Sequence, residues 1–199
     1  MILYLTIIFC AMLVIALCVS LAYGVGFFGV LGYTAFAVAL VMLIDAVVAT
    51  ASRLLPAKCA NHEKKIFKVT PKEKKFYEKL KIRVWKDKVP EIGQFTGFRK
   101  NKLDDPKSVE YLDRFLLESC YGEIGHFFSI ILGFLLVVPY GITPMWFAIS
   151  IPVAVVNALM NIPSFCILRY NSYKLEVLRK SMIKKQNRKP TPLQEADVT

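Results

Sequence analysis

Residues 1–50 of this chain read MILYLTIIFCAMLVIALCVSLAYGVGFFGVLGYTAFAVALVMLIDAVVAT, with no lysine or arginine and a single acidic residue, Asp45. A helix of this length would extend about 75 Å, whereas the hydrocarbon core of a bilayer is about 30 Å thick. The stretch is therefore predicted to cross a membrane twice. The natural break between the two crossings is Tyr23-Gly24-Val25-Gly26.

A second apolar pair lies toward the carboxyl end of the chain, over about 123–140 and 145–168, with a break at 139–144 (PYGITP). All 26 lysines and arginines lie outside both breaks. Of these, 18 fall between Arg53 and Arg114 and 8 between Arg169 and Lys189. The positive-inside rule therefore predicts that both termini and the segment between the two pairs are cytoplasmic.

These patterns predict an all-α, multi-pass protein of the cell membrane, with four transmembrane helices as two hairpins and a basic cytoplasmic segment between them. The expected parts are a first hairpin (1–50), a basic interfacial segment (51–122), a second hairpin (123–168) and a basic tail (169–199) with a disordered end. The first hairpin is expected to be retained, because it lacks the positive n-region and cleavage site of a signal peptide.

Shorter patterns predict the elements of the basic segment. Residues 72–81 are typical of an amphipathic helix, and the alternation of basic and apolar residues over 81–86 fits a helical turn or a short strand equally well. Residues 90–102 (PEIGQFTGFRKNK) predict a turn-rich loop. Asp105-Pro106 predicts the start of the helix that leads into the third span, with an N-cap followed by proline at the first helical position.

Glu118, Glu123 and His126 precede the third apolar run and share one face of a helix at about 100° per residue. A histidine beside two carboxylates can be a general base, a proton relay or a metal ligand, and ionisable groups at membrane depth indicate function. Glu-x-x-His is half of a di-iron motif, but the other histidine, His62, stands in a polar loop with no partner in view, so no metal is predicted. The alternative is that His126 anchors the interface and the glutamates pair with lysines.

The fourth span carries a second polar group. Asn157 and Asn161 share one face of an otherwise apolar helix, and Pro163 is expected to break that helix near its cytoplasmic end. Arg169-Tyr170-Asn171 follows directly; singly, these residues fit snorkelling and an aromatic belt. Asp45 is expected either to complete this polar cluster or to pair with Arg53.

The basic segment interleaves lysines with aromatic residues. This composition suits anionic lipid headgroups, the phosphates of coenzyme A or the acidic face of an acyl carrier protein. Nucleic acid is excluded as a partner, because no nucleic-acid-binding motif is present and the bilayer lies directly beneath.

Three blocks of this chain occur in one family in the same order and at similar spacing. They are Lys81-x-Arg83-x-Trp85-Lys86-x-Lys88-Val89-Pro90, Glu118-Ser119-x3-Glu123-x2-His126 and Asn161-x-Pro163-x5-Arg169-Tyr170-Asn171-x3-Leu175. Through them the chain resembles, over roughly 79–178, the small membrane acyltransferases typified by glycosyl-4,4'-diaponeurosporenoate acyltransferase. The resemblance implies transfer of a fatty acyl chain to a sugar hydroxyl of a membrane glycolipid.

Two departures from the family pattern bear on the acceptor. The pattern has Arg-Ala before the second glutamate and Trp after the histidine, where this chain has Tyr121-Gly122 and Phe127. The groups expected to perform acid–base chemistry are retained, while their polar and aromatic surroundings differ.

With the resemblance, the sequence predicts a membrane O-acyltransferase acting on a hydroxyl of a lipid-linked acceptor. His126 is assigned as the base, with Glu123 or Glu118 orienting it. Arg169, helped by Asn161 or Lys86, would stabilise the oxyanion or hold the donor's phosphate. The predicted substrate-binding residues are those that the blocks share: Lys81, Arg83, Trp85, Lys86, Lys88, Asn161, Tyr170 and Asn171.

The expected partners are membrane lipids and the lipid-linked glycosyl acceptor, with acyl-CoA or acyl carrier protein as donor and no cofactor. An acyl-enzyme on Ser119 or Cys120 is less favoured, because neither residue lies in a nucleophile-elbow pattern. Two alternatives remain open at this point: a methyltransferase-like lipid-modifying enzyme, and a non-enzymatic adaptor that binds acidic lipids or proteins.

Overall fold

The computed structural model describes residues 2–89, 103–137 and 144–188, and this part of the chain is helical with turns and no strand. Six α-helices follow one another, and short 3-10 segments extend two of them. Their bounds are α1 Ile2–Tyr23, α2 Phe27–Leu54, α3 Pro71–Lys79, α4 Ile82–Trp85 with a 3-10 turn Lys86–Lys88, α5 Val109–Leu132 with a 3-10 turn Gly133–Val137, and α6 Pro144–Gln186.

Four of these helices are long and apolar enough to cross a membrane, which confirms the predicted fold class. They are α1, α2, α5 with its 3-10 extension, and α6. The predicted break between the first two is confirmed, because α1 ends at Tyr23 and α2 begins at Phe27. Gly24 lies between them with a φ of +63°, a conformation that glycine adopts without a steric penalty.

The helices pack at one end around an apolar cluster to which α1, α2, α6 and the extension of α5 contribute. Trp146 at the start of α6 is buried there, and its indole N–H donates to the carbonyl of Leu136 at 2.9 Å. The same cluster contains Ala16 and Val19 near the end of α1. Because the end of α1 meets the start of α6, these two helices run antiparallel.

At the other end, the segment between α2 and α5 packs against the second halves of α5 and α6. Tyr77 of α3 and Ile82 of α4 are buried against Ile167 and Tyr170 of α6. The turn before α3 contributes Phe67, which packs near Cys120 of α5. The charged face of this segment therefore stays outside, while its apolar residues hold it to the bundle.

In the basic segment, one local prediction is wrong and one open alternative is excluded. The helix that leads into the third span begins at Val109 and not at Asp105, because the Ser108 hydroxyl accepts from the N–H of Tyr111 and caps it. The Asp105 carboxylate instead accepts from the N–H groups of Lys107 and Ser108 and closes a turn. Residues 82–88 are helical, so the strand alternative for 81–86 is excluded.

The predicted helix break at Pro163 is also wrong. Pro152 and Pro163 both lie inside α6, which is continuous over 43 residues. Packing against the neighbouring helices outweighs the one backbone hydrogen bond that an interior proline removes. The predicted loop 90–102, residues 139–143 of the second break and the disordered end of the tail (189–199) lie outside the described residues, whereas Pro144 begins α6.

Candidate active site

One polar cluster in the bundle joins α2, α5 and α6; we call it the amide cluster (Asp45, His126, Asn157 and Asn161). The Asn161 side-chain amide donates to Asp45 Oδ2 at 3.2 Å and to Asn157 Oδ1 at 3.0 Å. Its carbonyl Oδ1 lies 2.8 Å from His126 Nδ1. Both asparagines are buried, so the cluster places amides, a carboxylate and an imidazole together inside an apolar bundle.

Asn157 connects this cluster to α5 and to Asp45 of α2. Its Nδ2 donates to the backbone carbonyl of Ser129 at 3.2 Å and to Asp45 Oδ1 at 3.4 Å. A Cβ at Gly133 would lie 2.6 Å from this same Nδ2, so only glycine allows α5 to approach so closely. Asp45 therefore completes the polar cluster on α6, and its expected alternative partner, Arg53, instead lies 3.9 Å from Glu118.

The hydrogen bonds of Asn161 decide which nitrogen of His126 carries the proton. Since its amide nitrogen is directed to Asp45, the oxygen must face His126, and Nδ1 of the imidazole donates to it. In the neutral ring, Nε2 is then the unprotonated nitrogen. The order Asp45, Asn161, His126 thus holds the imidazole in the tautomer that presents a base at Nε2.

A second polar group lies further along α6; we call it the arginine clasp (Glu73, Glu123, Arg169 and Ser172). The Arg169 guanidinium donates from Nε and Nη2 to the two oxygens of Glu73, both at 2.9 Å. Its Nη1 donates to Glu123 Oε2 at 3.1 Å and to the Ile66 carbonyl at 2.7 Å. Ser172 donates to the other oxygen of Glu123 at 2.9 Å. One guanidinium therefore ties α3, α5 and the turn before α3 to α6.

The electrostatics of α3 follow from this contact. Burial raises the pKa of Glu73, but the hydrogen bonds from Arg169 and Tyr77 and the positive charge of Arg169 outweigh it, so its pKa is lowered overall. Burial and the bond that Tyr77 donates to Glu73 at 2.7 Å raise the pKa of Tyr77. Glu73 therefore stays ionised and Tyr77 stays protonated at neutral pH.

The structure distributes the predicted catalytic residues over these two groups. His126 belongs to the amide cluster, while Glu123 and Arg169 belong to the arginine clasp. Glu118 lies beside Arg53. The two glutamates expected to orient His126 are thus engaged elsewhere, and Asn161 takes that position. The guanidinium of Arg169, expected to face an oxyanion, makes four hydrogen bonds within the protein instead.

The predicted substrate-binding residues also separate into two sets. Tyr170 and Asn171 are buried, and Tyr170 packs against α3 and α4. The residues from α4 and its 3-10 turn lie at the surface: Lys81, Arg83 and Lys88 are exposed, and Trp85 and Lys86 are half-buried. The indole of Trp85 donates to the carbonyl of Leu80 at 2.9 Å, which fixes its orientation.

Three other residues named from the sequence have clear positions. Ser119 and Cys120 are buried, and the Ser119 hydroxyl donates to the Phe115 carbonyl one turn earlier. The His62 ring lies 3.5 Å from Glu176 and 3.9 Å from Asp113, while its buried Nδ1 has no hydrogen-bond partner among the described residues. It borders a polar cavity of about 370 Å³ away from the amide cluster.

Sequence reasoning missed Glu73 and Ser172. Thr70-Pro71-x-Glu73 carries the pattern of a helix capping box, and the Thr70 hydroxyl does accept from the N–H of Glu73. That local role conceals the second one, because nothing in the spacing shows that the carboxylate also reaches α6. Ser172 stands one turn beyond Arg169 and offered no separate signal.

Comparison with known proteins adds one finding. A family model described as glycosyl-4,4'-diaponeurosporenoate acyltransferase matches residues 62–181, which is more than half of the chain. The match includes the arginine clasp and every member of the amide cluster except Asp45. The comparisons with curated proteins and with solved structures give no match.

Proposed function

The chain belongs to the glycosyl-4,4'-diaponeurosporenoate acyltransferase family and is an acyltransferase, and from this premise we propose its reaction. It transfers a fatty acyl group from a thioester donor, acyl-CoA or acyl carrier protein, to a sugar hydroxyl of a lipid-linked acceptor. Family membership also decides between the earlier alternatives, because neither a methyltransferase nor an adaptor is an acyltransferase.

The observation that carries the proposal is the 2.8 Å contact between His126 Nδ1 and Asn161 Oδ1, from which the tautomer of His126 follows. With Nδ1 donating to Asn161, Nε2 is free to accept the proton of the acceptor hydroxyl. The hydroxyl oxygen attacks the thioester carbonyl, forming the ester C–O bond as the C–S bond breaks. The imidazolium then returns the proton to the leaving thiolate, so no external reactant is needed beyond donor and acceptor.

Asp45 supports this step through Asn161. Its carboxylate receives hydrogen bonds from both amides, and its negative charge favours the imidazolium that forms during proton transfer. The arrangement resembles an acid–base pair in which the carboxylate orients the histidine, here with an amide between them. We therefore assign Asp45 and Asn161 as positioning residues.

Arg169 has a different role in this proposal from the one that its sequence position suggested. Its charge is balanced by two carboxylates, and its hydrogen bonds are directed at Glu73, Glu123 and a backbone carbonyl. Its role is structural, because it holds α3 to α5 and α6. Contact with the donor's phosphates is assigned to two lysines of the 3-10 turn after α4, the exposed Lys88 and the half-buried Lys86.

The position of the amide cluster along α6 bears on how the two substrates would reach it. The amide cluster lies where the apolar part of α6 approaches its first charged residue, Arg169, so a lipid-linked acceptor would reach it from the bilayer. If the basic segment is cytoplasmic, as the positive-inside rule predicts, the soluble donor arrives from the same side. Two substrates of opposite solubility would then meet at the boundary.

The test is acyl transfer in membranes that contain the full chain. Glycosyl-4,4'-diaponeurosporenoate is the first acceptor to try, with palmitoyl-CoA and palmitoyl acyl carrier protein supplied separately. The matched control is 4,4'-diaponeurosporenoate, which lacks the sugar and should give no ester. We expect a product whose mass exceeds that of the acceptor by one palmitoyl group in place of a hydrogen, measured by mass spectrometry. No acylated product with either donor would contradict the proposal.

A further inference from the structure

An apolar groove of about 410 Å³ runs between α1, α6 and the α4 region, apart from the amide cluster. Its volume lies within the roughly 300–1,000 Å³ range of ligand pockets. Tyr4 and Ala11 line it from α1, Val156 and Pro163 from α6, and Trp85 and Lys88 from α4 and its 3-10 turn. None of the groove's lining residues belongs to the amide cluster or to the arginine clasp.

The groove follows α1 and α6 for about two helical turns, and Lys88 lies at one of its ends. From Tyr4 to Ala11, and from Pro163 to Val156, each helix extends about 10 Å along it. Since α1 and α6 run antiparallel, Tyr4 lies at the level of Pro163, and Ala11 at the level of Val156. Trp85 and Val89 pack near Ile167 and Tyr170, beyond Pro163, so the basic end of the groove is there. The other end leads into the apolar bundle.

One atom in the groove lacks a partner. The hydroxyl of Tyr4 is buried and has no hydrogen-bond partner among the described residues. Buried hydroxyl groups are nearly always hydrogen-bonded, so this one indicates a ligand that supplies an acceptor. In an otherwise apolar groove, a carbonyl oxygen at the head of an acyl chain meets that requirement.

We propose that this groove binds the fatty acyl chain of the thioester donor, with the tail toward Ala11 and the carbonyl oxygen at the Tyr4 hydroxyl. The exposed ammonium of Lys88 then lies on the side of the donor's phosphates. The inference rests on the proposed function for the identity of the donor. It adds the site of that donor, the residue that binds its carbonyl and the part of the chain that limits acyl length.

The position of the groove agrees with the chemistry. Asn161, which holds His126, lies between Met160 and Pro163 along α6, and both of these line the groove. The polar end of the groove and the imidazole are therefore at the same level of the bundle, roughly 130° apart around α6 at 100° per residue. An acyl chain inserted from the basic end places its carbonyl at that level.

The decisive variant is Ala11→Phe, which adds a ring at the deep end of the groove. We expect transfer from stearoyl-CoA to fall on the order of tenfold or more while transfer from hexanoyl-CoA is retained, because only the longer chain reaches that end. Val14→Phe is the matched control: it places the same ring at an exposed position of α1 outside the groove. An unchanged ratio of the two donors in Ala11→Phe, or an equal change in Val14→Phe, overturns the proposal.

Tyr4→Phe tests the proposed position of the carbonyl group at the head of the acyl chain. Loss of one hydrogen bond to the carbonyl should lower kcat/KM by roughly 2- to 10-fold, equally for long and short donors, since the carbonyl is common to both. A loss confined to one chain length, or no loss at all, contradicts the assigned position of the carbonyl.

Photocrosslinking separates this inference from the proposed function. A decanoyl-CoA with a diazirine at the end of its chain should label residues near Ala11 and Val156, and unlabelled palmitoyl-CoA should compete. Competed labelling without transfer to any acceptor would support acyl binding in the groove and contradict the proposed reaction. The opposite result is acyl transfer without labelling near Ala11 and with an unchanged chain-length ratio in Ala11→Phe. It would support the proposed reaction and contradict acyl binding in the groove, whose occupant would then be an adjacent bilayer lipid.

Discussion

At the scale of single residues, the proposed chemistry depends on the free Nε2 of His126. General-base catalysis contributes about 10²–10⁴-fold in rate. His126→Ala should therefore lose activity by that order, while the protein still inserts in the membrane and unfolds at the wild-type temperature. The measurement is the rate of acyl transfer in membranes with matched protein levels.

The control for this substitution is His62→Gln, which removes the other histidine but keeps a polar side chain beside Asp113 and Glu176. Because His62 borders a different cavity, its replacement should leave the acyl-transfer rate near wild type. Wild-type turnover in His126→Ala would remove the base from the mechanism, whatever the control shows.

Asp45 provides a second prediction at this scale. Asp45→Asn keeps the shape of the side chain but removes the charge that receives both amides of the cluster. Hydrogen bonds to charged groups contribute about 1.5–3 kcal/mol, so kcat should fall roughly 10- to 100-fold. Thr50→Ala, an exposed change further along α2, should have no such effect. A wild-type kcat for Asp45→Asn would show that Asn161 orients His126 without it.

At the scale of elements, the arginine clasp determines how α3 lies against the bundle. Arg169→Lys replaces a planar group that binds two carboxylates at once with a single ammonium. Breaking a buried ion pair costs about 3–5 kcal/mol, and this substitution should lose a large part of that free energy. We expect the thermal unfolding midpoint in detergent to fall together with activity, unlike in His126→Ala.

The matched control is Arg53→Lys. Arg53 is more than half exposed and 3.9 Å from Glu118, and such surface pairs contribute at most about 1 kcal/mol. Its replacement should leave both the midpoint and the activity nearly unchanged. If Arg169→Lys lost activity at an unchanged midpoint, Arg169 would act on the substrate and not only on the packing of α3.

At the scale of the whole molecule, the prediction concerns orientation. Every described lysine and arginine lies on one side of the apolar part of the bundle, so we expect the turn after α1 to face outward and the basic segment to face the cytoplasm. In a variant without native cysteines, Val25→Cys should react with a membrane-impermeant maleimide in intact cells. Lys64→Cys should react only after lysis. Val25 is preferable to Gly24, whose positive φ disfavours other side chains.

Labelling of Lys64→Cys in intact cells would reverse the orientation. The amide cluster and the basic end of the groove would then face away from cytoplasmic acyl-CoA, and the donor would have to be sought on the other side of the membrane.

The fold class was determined by the sequence itself, because the need to remove apolar side chains from water acts on composition and periodicity. Residues 1–50 had to cross a bilayer twice, and two glycines marked where α1 ends. The helix of α3 followed from its amphipathic pattern in the same way. Where the sequence misled, packing outweighed a local preference: α6 passes through Pro163, and Ser108 caps α5 in place of Asp105.

For the candidate site, too, some features follow from the sequence and others only from the tertiary structure. The sequence determined which residues are costly to place in a membrane, and so named His126, Glu123, Asn161 and Arg169, because that cost belongs to each side chain wherever it lies. Only the tertiary structure decided their partners. His126 and Glu123 stand one turn apart on α5, yet one binds Asn161 and the other binds Arg169. Those partners come from other helices, and helical spacing describes only the neighbours within one helix.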